Sequence, residues 1–105
     1  MKVAVLKHML EDRAVGRAKV LEFDGGVVMN LQLKAGEKVS RHRTPSDAIV
    51  HVVAGRVRFG VGEQDVELVP GMLLHMDPQE EHELEALEDA SILVMKIGAN
   101  TVCGS

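Results

Sequence analysis

His42 and His82 are the residues of this chain best placed to do chemistry. Imidazole titrates near neutrality, serves as acid or base, and in its neutral form is the commonest metal ligand. Each histidine stands in a glycine-anchored segment bounded by turn residues. The first runs Gly36-Glu37-Lys38-Val39-Ser40-Arg41-His42-Arg43-Thr44 and on through Ala48 to Gly55; the second runs Gly71-Met72-Leu73-Leu74-His75-Met76-Asp77-Pro78 to His82. Two such segments can aim both rings into one shared cavity if a sheet closes around them. No competing chemistry is legible. Ser40, Ser46 and Ser91 lie in no nucleophile elbow, Cys103 has no histidine nearby in sequence, and no strand–loop–helix phosphate cradle is present.

The elements that must position these rings read as short strands. Lys2 to Leu6 and Lys19 to Phe23 are candidates, followed by Asp24-Gly25-Gly26, a hairpin signal because glycine takes positive φ without steric cost. Val27, Met29, Leu31 and Leu33 alternate with Val28, Asn30 and Gln32, the period of a half-buried strand. Further strands are expected at Ile49 to Val53, Val57 to Val61, Val66 to Val69, Met72 to Met76, His82 to Leu87 and Ile92 to Ile97, with breaks at Gly55, Gly62-Glu63-Gln64-Asp65, Pro70-Gly71, Asp77-Pro78 and Glu88-Asp89. Regular short strands with turns between them predict an all-β barrel or sandwich. His8 to Ala18 carries only a weak helical pattern, interrupted by Gly16 and without a cap. Ile49 to Val53 and Ile92 to Ile97 are apolar on both faces, which predicts a second covering layer and hence a twofold homodimer.

These segments resemble the cupin superfamily. Its first motif is Gly, five residues, His-x-His, three or four residues, Glu, six residues, Gly; Gly36, His42 and Gly55 match, while Thr44 takes the second histidine position and Ala48 the glutamate position. Its second motif is Gly, five residues, Pro-x-Gly, two residues, His, three residues, Asn. Gly71 and His82 match, Pro78 is displaced by one, Gln79 replaces the glycine and Ala86 the asparagine. The stretch from Arg56 to Pro70 is like the short spacer of small microbial cupins, and the resemblance covers roughly residues 26 to 97. It implies a small antiparallel β-barrel of the double-stranded β-helix or jelly-roll kind, as one domain over residues 1–105.

In the family pattern three histidines and a glutamate hold one divalent metal: Fe, Mn, Ni or Zn. Two of those four ligands survive here, His42 and His82. Asp47 is the candidate third ligand, because it would complete a two-histidine, one-carboxylate set. Strand alternation, however, puts Asp47, Ile49 and His51 on one face and Ala48, Val50 and Val52 on the other, so Asp47 swings inward only through a late strand start or a bulge. His51 is expected outside, at a dimer seam. His75 groups with Leu73 and Asp77, opposite Met72, Leu74 and Met76, with the inward face left open. Thr44 can hydrogen-bond a ligand or a metal-bound water. Glu80 and Glu81 read as a solvated turn, and His8 as a surface residue.

Composition excludes several partners. With a net charge of −4 the chain lacks the basic footprint that phosphate backbones require, so nucleic acid is not expected. Arg41, Arg43, Arg56 and Arg58 read as a solvated strand face. Phe23 and Phe59 are the only aromatics, which excludes an aromatic cage and a base-stacking platform. No apolar run reaches membrane-spanning length and no leader pattern opens the chain, so a cytoplasmic location off the membrane is expected. A single cysteine, Cys103, allows no internal disulfide. The leading expectation is a small-molecule-binding barrel. Its pocket is lined by Val, Leu, Ile and Met, with Met29, Met72, Met76 and Met95 as fillers and His42, Thr44 and His82 as polar points. Its metal site is reduced or absent. The alternative is a metal-dependent enzyme of the dioxygenase or isomerase type using His42 and His82; a third reading is an interaction module with a vestigial pocket.

Overall fold

Nine strands form in the computed structural model, which describes residues 1–98; Cys103 lies outside the described residues. In chain order they are β1 (Val15–Phe23), β2 (Gly26–Leu33), β3 (Lys38–His42), β4 (Asp47–Ala54), β5 (Val57–Val61), β6 (Gln64–Leu68), β7 (Leu73–Met76), β8 (His82–Ala86) and β9 (Ala90–Ile97). A five-stranded antiparallel sheet runs β1-β2-β9-β4-β7, and a four-stranded one runs β3-β8-β5-β6. Their inner faces supply one core: Leu31 and Leu33 from β2, Val50 and Val52 from β4, Val57 and Phe59 from β5, Leu68 from β6, Met76 from β7, Leu84 from β8 and Ile92 from β9. Alternation is what makes this possible, since only every second residue of a strand can face the partner sheet.

One expectation about the N-terminus is corrected: Lys2 to Leu6 forms no strand. The weak helical pattern at His8 to Ala18 forms no helix either, in keeping with Gly16 and the missing cap; residues 1–14 are irregular and β1 begins at Val15. The arm is held by a side chain rather than a ladder. Gln32 of β2 accepts from the Met9 N–H at 2.9 Å and donates to the Lys7 carbonyl at 2.7 Å. Gly16 is required beneath this arm, because a Cβ there would meet the Met9 Cβ at 2.6 Å. The two-sided strands keep an incompletely covered outer face: Ile49, His51, Leu93 and Met95 are half-buried, while Val53, Leu73 and Ile97 are exposed.

Gly55 closes the turn from β4 to β5 with φ of 83°, and a Cβ there would lie 2.2 Å from the Asp89 carbonyl oxygen and 2.8 Å from the Ala90 Cα. Gly36 has a similar φ of 89° but open space around it. Gly36→Ala is therefore expected to cost only the left-handed backbone strain, about 1–2 kcal/mol. Gly55→Ala must also displace backbone at the start of β9 and is expected to cost clearly more. Urea midpoints of the two variants test the order; equal losses would contradict it.

Candidate functional site

β3 and β8 bring the two histidines together through a bulge. Val39 pairs with Leu84, but His42 pairs with His82, so β3 contains one residue more than its partner between those positions. Val39 and His42 are three apart and would face opposite ways on a regular strand; the extra residue turns both inward. The rings meet edge-on, with centroids 4.1 Å apart and planes at 64°. Phe59 of β5 stacks beside His82 at 6.0 Å.

Backbone carbonyls set the tautomers. His42 Nδ1 lies 2.9 Å from the Ser40 carbonyl and His82 Nδ1 lies 3.0 Å from the Glu80 carbonyl. A carbonyl oxygen only accepts, so each Nδ1 carries the proton and each neutral ring is left with an Nε2 lone pair for a ligand. Burial pushes the His82 imidazole below its ordinary 6.5; the positive charge of His42, Lys96 and Arg41 acts in the same direction, against the hydrogen bond to Glu80.

A cavity of about 100 Å³ opens between the sheets against both rings. Met29, Leu31, Val39, Val50, Phe59, Met76, Leu84 and Val94 form its apolar wall, and Thr44, buried, adds a hydroxyl. Arg17 and Lys96 line it too, and no Asp or Glu does. Sequence reading missed both cations because they come from β1 and β9, far from the histidine segments. For Lys96 a signal was present, since it continues the apolar series of Ile92 and Val94; Arg17 lay before the expected strand at Lys19 to Phe23, and only its pairing with Leu31 turns it toward the cavity. A larger void, about 540 Å³, lies under the N-terminal arm between Ala4–Arg13 residues and β1. Its polar lining (Lys7, His8, Glu11, Asp12, Arg13, Lys19 and Asn30) includes neither imidazole of the pair, whereas the smaller cavity lies against both rings.

Asp47 does not join the pair. Its Oδ1 takes a hydrogen bond from His75 Nε2 at 2.8 Å on the outside of the five-stranded sheet, and it does not line the cavity. The only bulge near the histidines is in β3, and β4 alternates regularly, with Ala48, Val50 and Val52 buried. His75 is thereby placed outside, with Leu74 and Met76 toward the core side. Asp47, His75 and Asp77 bring donor atoms within 4.8 Å of one another, a group that could hold a cation, on the face away from His42 and His82. Gln79, at the family's glycine position, adopts a φ of 69°, and its N–H binds the Thr44 carbonyl at 2.8 Å, tying the loop before β8 to the site.

The cupin domain family matches residues 29–97, and the chain belongs to that family. Among solved structures, an RmlC-like cupin from Desulfovibrio desulfuricans superposes with a TM-score of 0.81 at 20% identity, covering 92% of this chain and 96% of the other. An RmlC-like cupin with a double-stranded β-helix fold from Methanocaldococcus jannaschii gives 0.78 at 15% identity, covering 93% and 91%. KdgF from a Halomonas species gives 0.77 at 19% identity, covering 87% and 85%. At such identities the likeness shows the double-stranded β-helix fold alone. No curated protein matches the chain. Among the described residues, no helix is long and apolar enough to cross a membrane.

The residues present do not fit the family's interior metal. The tautomers suit metal binding, but only two imidazoles remain, and a divalent ion generally takes at least three protein ligands. At the glutamate position stands Ala48, whose cross-strand partner is the cationic Lys96.

His82 also makes stability depend on pH. Its folded-state affinity for protons is lowered, so the unfolded chain binds the proton more readily. Its contribution is complete above about pH 6.5 and is lost as pH falls through the folded-state value. Urea unfolding from pH 8 to pH 5 is expected to show this decline in the wild type and a shallower one in His82→Gln. Histidine proton NMR should find His82 titrating lowest; a normal titration would remove the account.

Proposed function

We propose that this protein is a small-molecule-binding cupin in which His42, Thr44 and His82 read the ligand and no interior metal is required. The supporting observation is the cavity itself. Its two rings are locked by backbone carbonyls with Nε2 left for a ligand, its walls are apolar, and its charged side chains are cations. Such a site, concave and mostly apolar with a few fixed polar groups, suits a small organic molecule. A thermal-shift screen of small metabolite classes tests it. A ligand at about 100 times its Kd adds about 2.7 kcal/mol to folded-state stability. That gain is expected in the wild type and absent from both His82→Ala and Thr44→Val. A gain unchanged in both variants would place binding elsewhere.

The second reading, a metal-dependent dioxygenase or isomerase, draws on one observation: donation of Nδ1–H to a carbonyl is the arrangement of metal-bound histidine. Elemental analysis of protein purified without an affinity tag separates the two. The expected result is well under one interior metal per chain. An ion near one per chain that disappears in His82→Ala establishes the enzyme reading, whereas an ion that survives His82→Ala and is lost in Asp77→Asn belongs to the outer group.

A second copy of the chain is the proposed cover for the outer face of the five-stranded sheet, with His51 at the seam and Leu73, Val53 and Ile97 buried by the contact. Light scattering should give a dimer for the wild type and a monomer for Leu73→Glu; a monomeric wild type would sink this assignment.

A further inference from the structure

We infer that the cavity's ligand is a small hydroxycarboxylate, its carboxylate held by Arg17 and Lys96 and its hydroxyl donating to one Nε2 of the imidazole pair. This rests on the small-molecule reading above and names the class of molecule. Three observations carry it.

The first is the placement of arginine. Arg13, Arg41, Arg43, Arg56 and Arg58 each have a carboxylate within ion-pair distance on the surface. Arg17 is the exception among the described residues, and it is the arginine that lines the cavity. A guanidinium presents a planar fork of N–H donors that matches the two oxygens of a carboxylate. Arg17 is exposed, so the fork sits where the cavity meets solvent and an incoming anion reaches it first.

The second is the sign of the interior. Lys96 brings a further cation into the same cavity, and among the described residues no Asp or Glu lines it. Lys96 stands directly across from Ala48, the residue at the family's glutamate position. Where that pattern carries negative charge, this chain offers a small apolar side chain beside an ammonium. The exchange converts a site for a cation into one for an anion.

The third is the proton inventory of the two rings. Each Nδ1–H is already donated to a backbone carbonyl, at Ser40 and at Glu80, so the neutral rings present acceptors to the cavity. A bare carboxylate has no proton to give them. A ligand satisfying the cations and one of the Nε2 lone pairs therefore carries an anionic group and an O–H donor on one small frame. Size agrees: the cavity is about 100 Å³, whereas an engineered apolar cavity that accepts benzene is about 150 Å³. Two to four carbons fit against Met29, Leu31 and Val94.

Methyl NMR of the full chain tests this, because Met29 and Met76 line the cavity and report occupancy there. The probes are lactate, propionate (no hydroxyl), lactamide (no charge) and inorganic phosphate (no apolar body). Lactate is expected to shift both methyl signals and to bind at least tenfold tighter than each of the other three. In Arg17→Gln that preference for lactate over lactamide should fall at least tenfold, with the unfolding midpoint unchanged; Lys96→Met should reduce it in the same direction. Lactamide equal to lactate would show that charge is not read. Propionate equal to lactate would show that the hydroxyl is not read, and phosphate equal to lactate would show a bare anion site; any of the three overturns the inference. If neutral compounds from the thermal-shift screen move the same methyl signals in a His82-dependent way while lactate and glycolate do not, this inference fails and the small-molecule reading stands. If nothing in either set moves them, both fail.

Discussion

One extra residue in β3 governs the site. A regular strand would show Val39 and Arg41 to one side and His42 to the other. The bulge reverses the parity after Val39, so His42 and Thr44 turn inward while Arg41 and Arg43 turn out. The outward pair find carboxylates on the neighbouring loop and strand, Glu83 for Arg41 and Glu81 for Arg43. Without the offset, His82 would face the cavity alone and a cation would stand where His42 does. The edge-on contact of the two rings is thus a consequence of backbone register, and the carbonyls of Ser40 and Glu80, each two residues before its histidine, lock what the register brings together.

The same parity sorts charge. On the outer face of the four-stranded sheet, Arg41, Arg56 and Arg58 pair with Glu83, with Glu67 and Glu88, and with Asp65 and Glu85. Such exposed pairs contribute about 0–1 kcal/mol each, so their value lies in keeping that face soluble and its cations neutralised rather than in holding the fold. The core does the holding. Two further cations lie on the cavity side: Arg17 between Val15 and Lys19 on β1, and Lys96 after Ile92 and Val94 on β9.

Much of the fold was legible because alternation is a local signal. The strands from β2 onward other than β3, the turns at Gly25, Gly36, Gly55 and Gly71, and the inward face of Ala48, Val50 and Val52 all follow from period two and turn chemistry. The N-terminus did not. Lys2 to Leu6 alternates like a strand but has no partner edge there, and the hydrogen bonds that fix the arm come from Gln32, more than twenty residues away, which no local pattern announces. At the site, the motif spacing located His42, Thr44 and His82, but their meeting depends on a bulge, and bulges leave no reliable mark in composition. Gln79 makes the related point. A glutamine stands where the family pattern has glycine, and the backbone there is still left-handed, with the bond to Thr44 in place. Lys96 was visible as a charge on an apolar face and Arg17 was not, and only the pairing of β1 with β2 and of β9 with β4 puts them in one cavity.

Asp47 and Ala48 show how much a one-residue step decides. They are neighbours on β4, and the sheet separates their side chains completely. Ala48 is buried on the core side, across from Lys96; Asp47 faces outward, where His75 and Asp77 join it. A carboxylate moved from position 47 to 48 would enter a space flanked by Lys96 and close to His82, raising that imidazole's proton affinity and supplying the acidic ligand that the interior lacks. The chain does the opposite. It keeps Asp47, His75 and Asp77 on the outside and sets Lys96 across from Ala48 on the inside. The strand's own pleat therefore keeps the outer carboxylates from serving the two inner imidazoles.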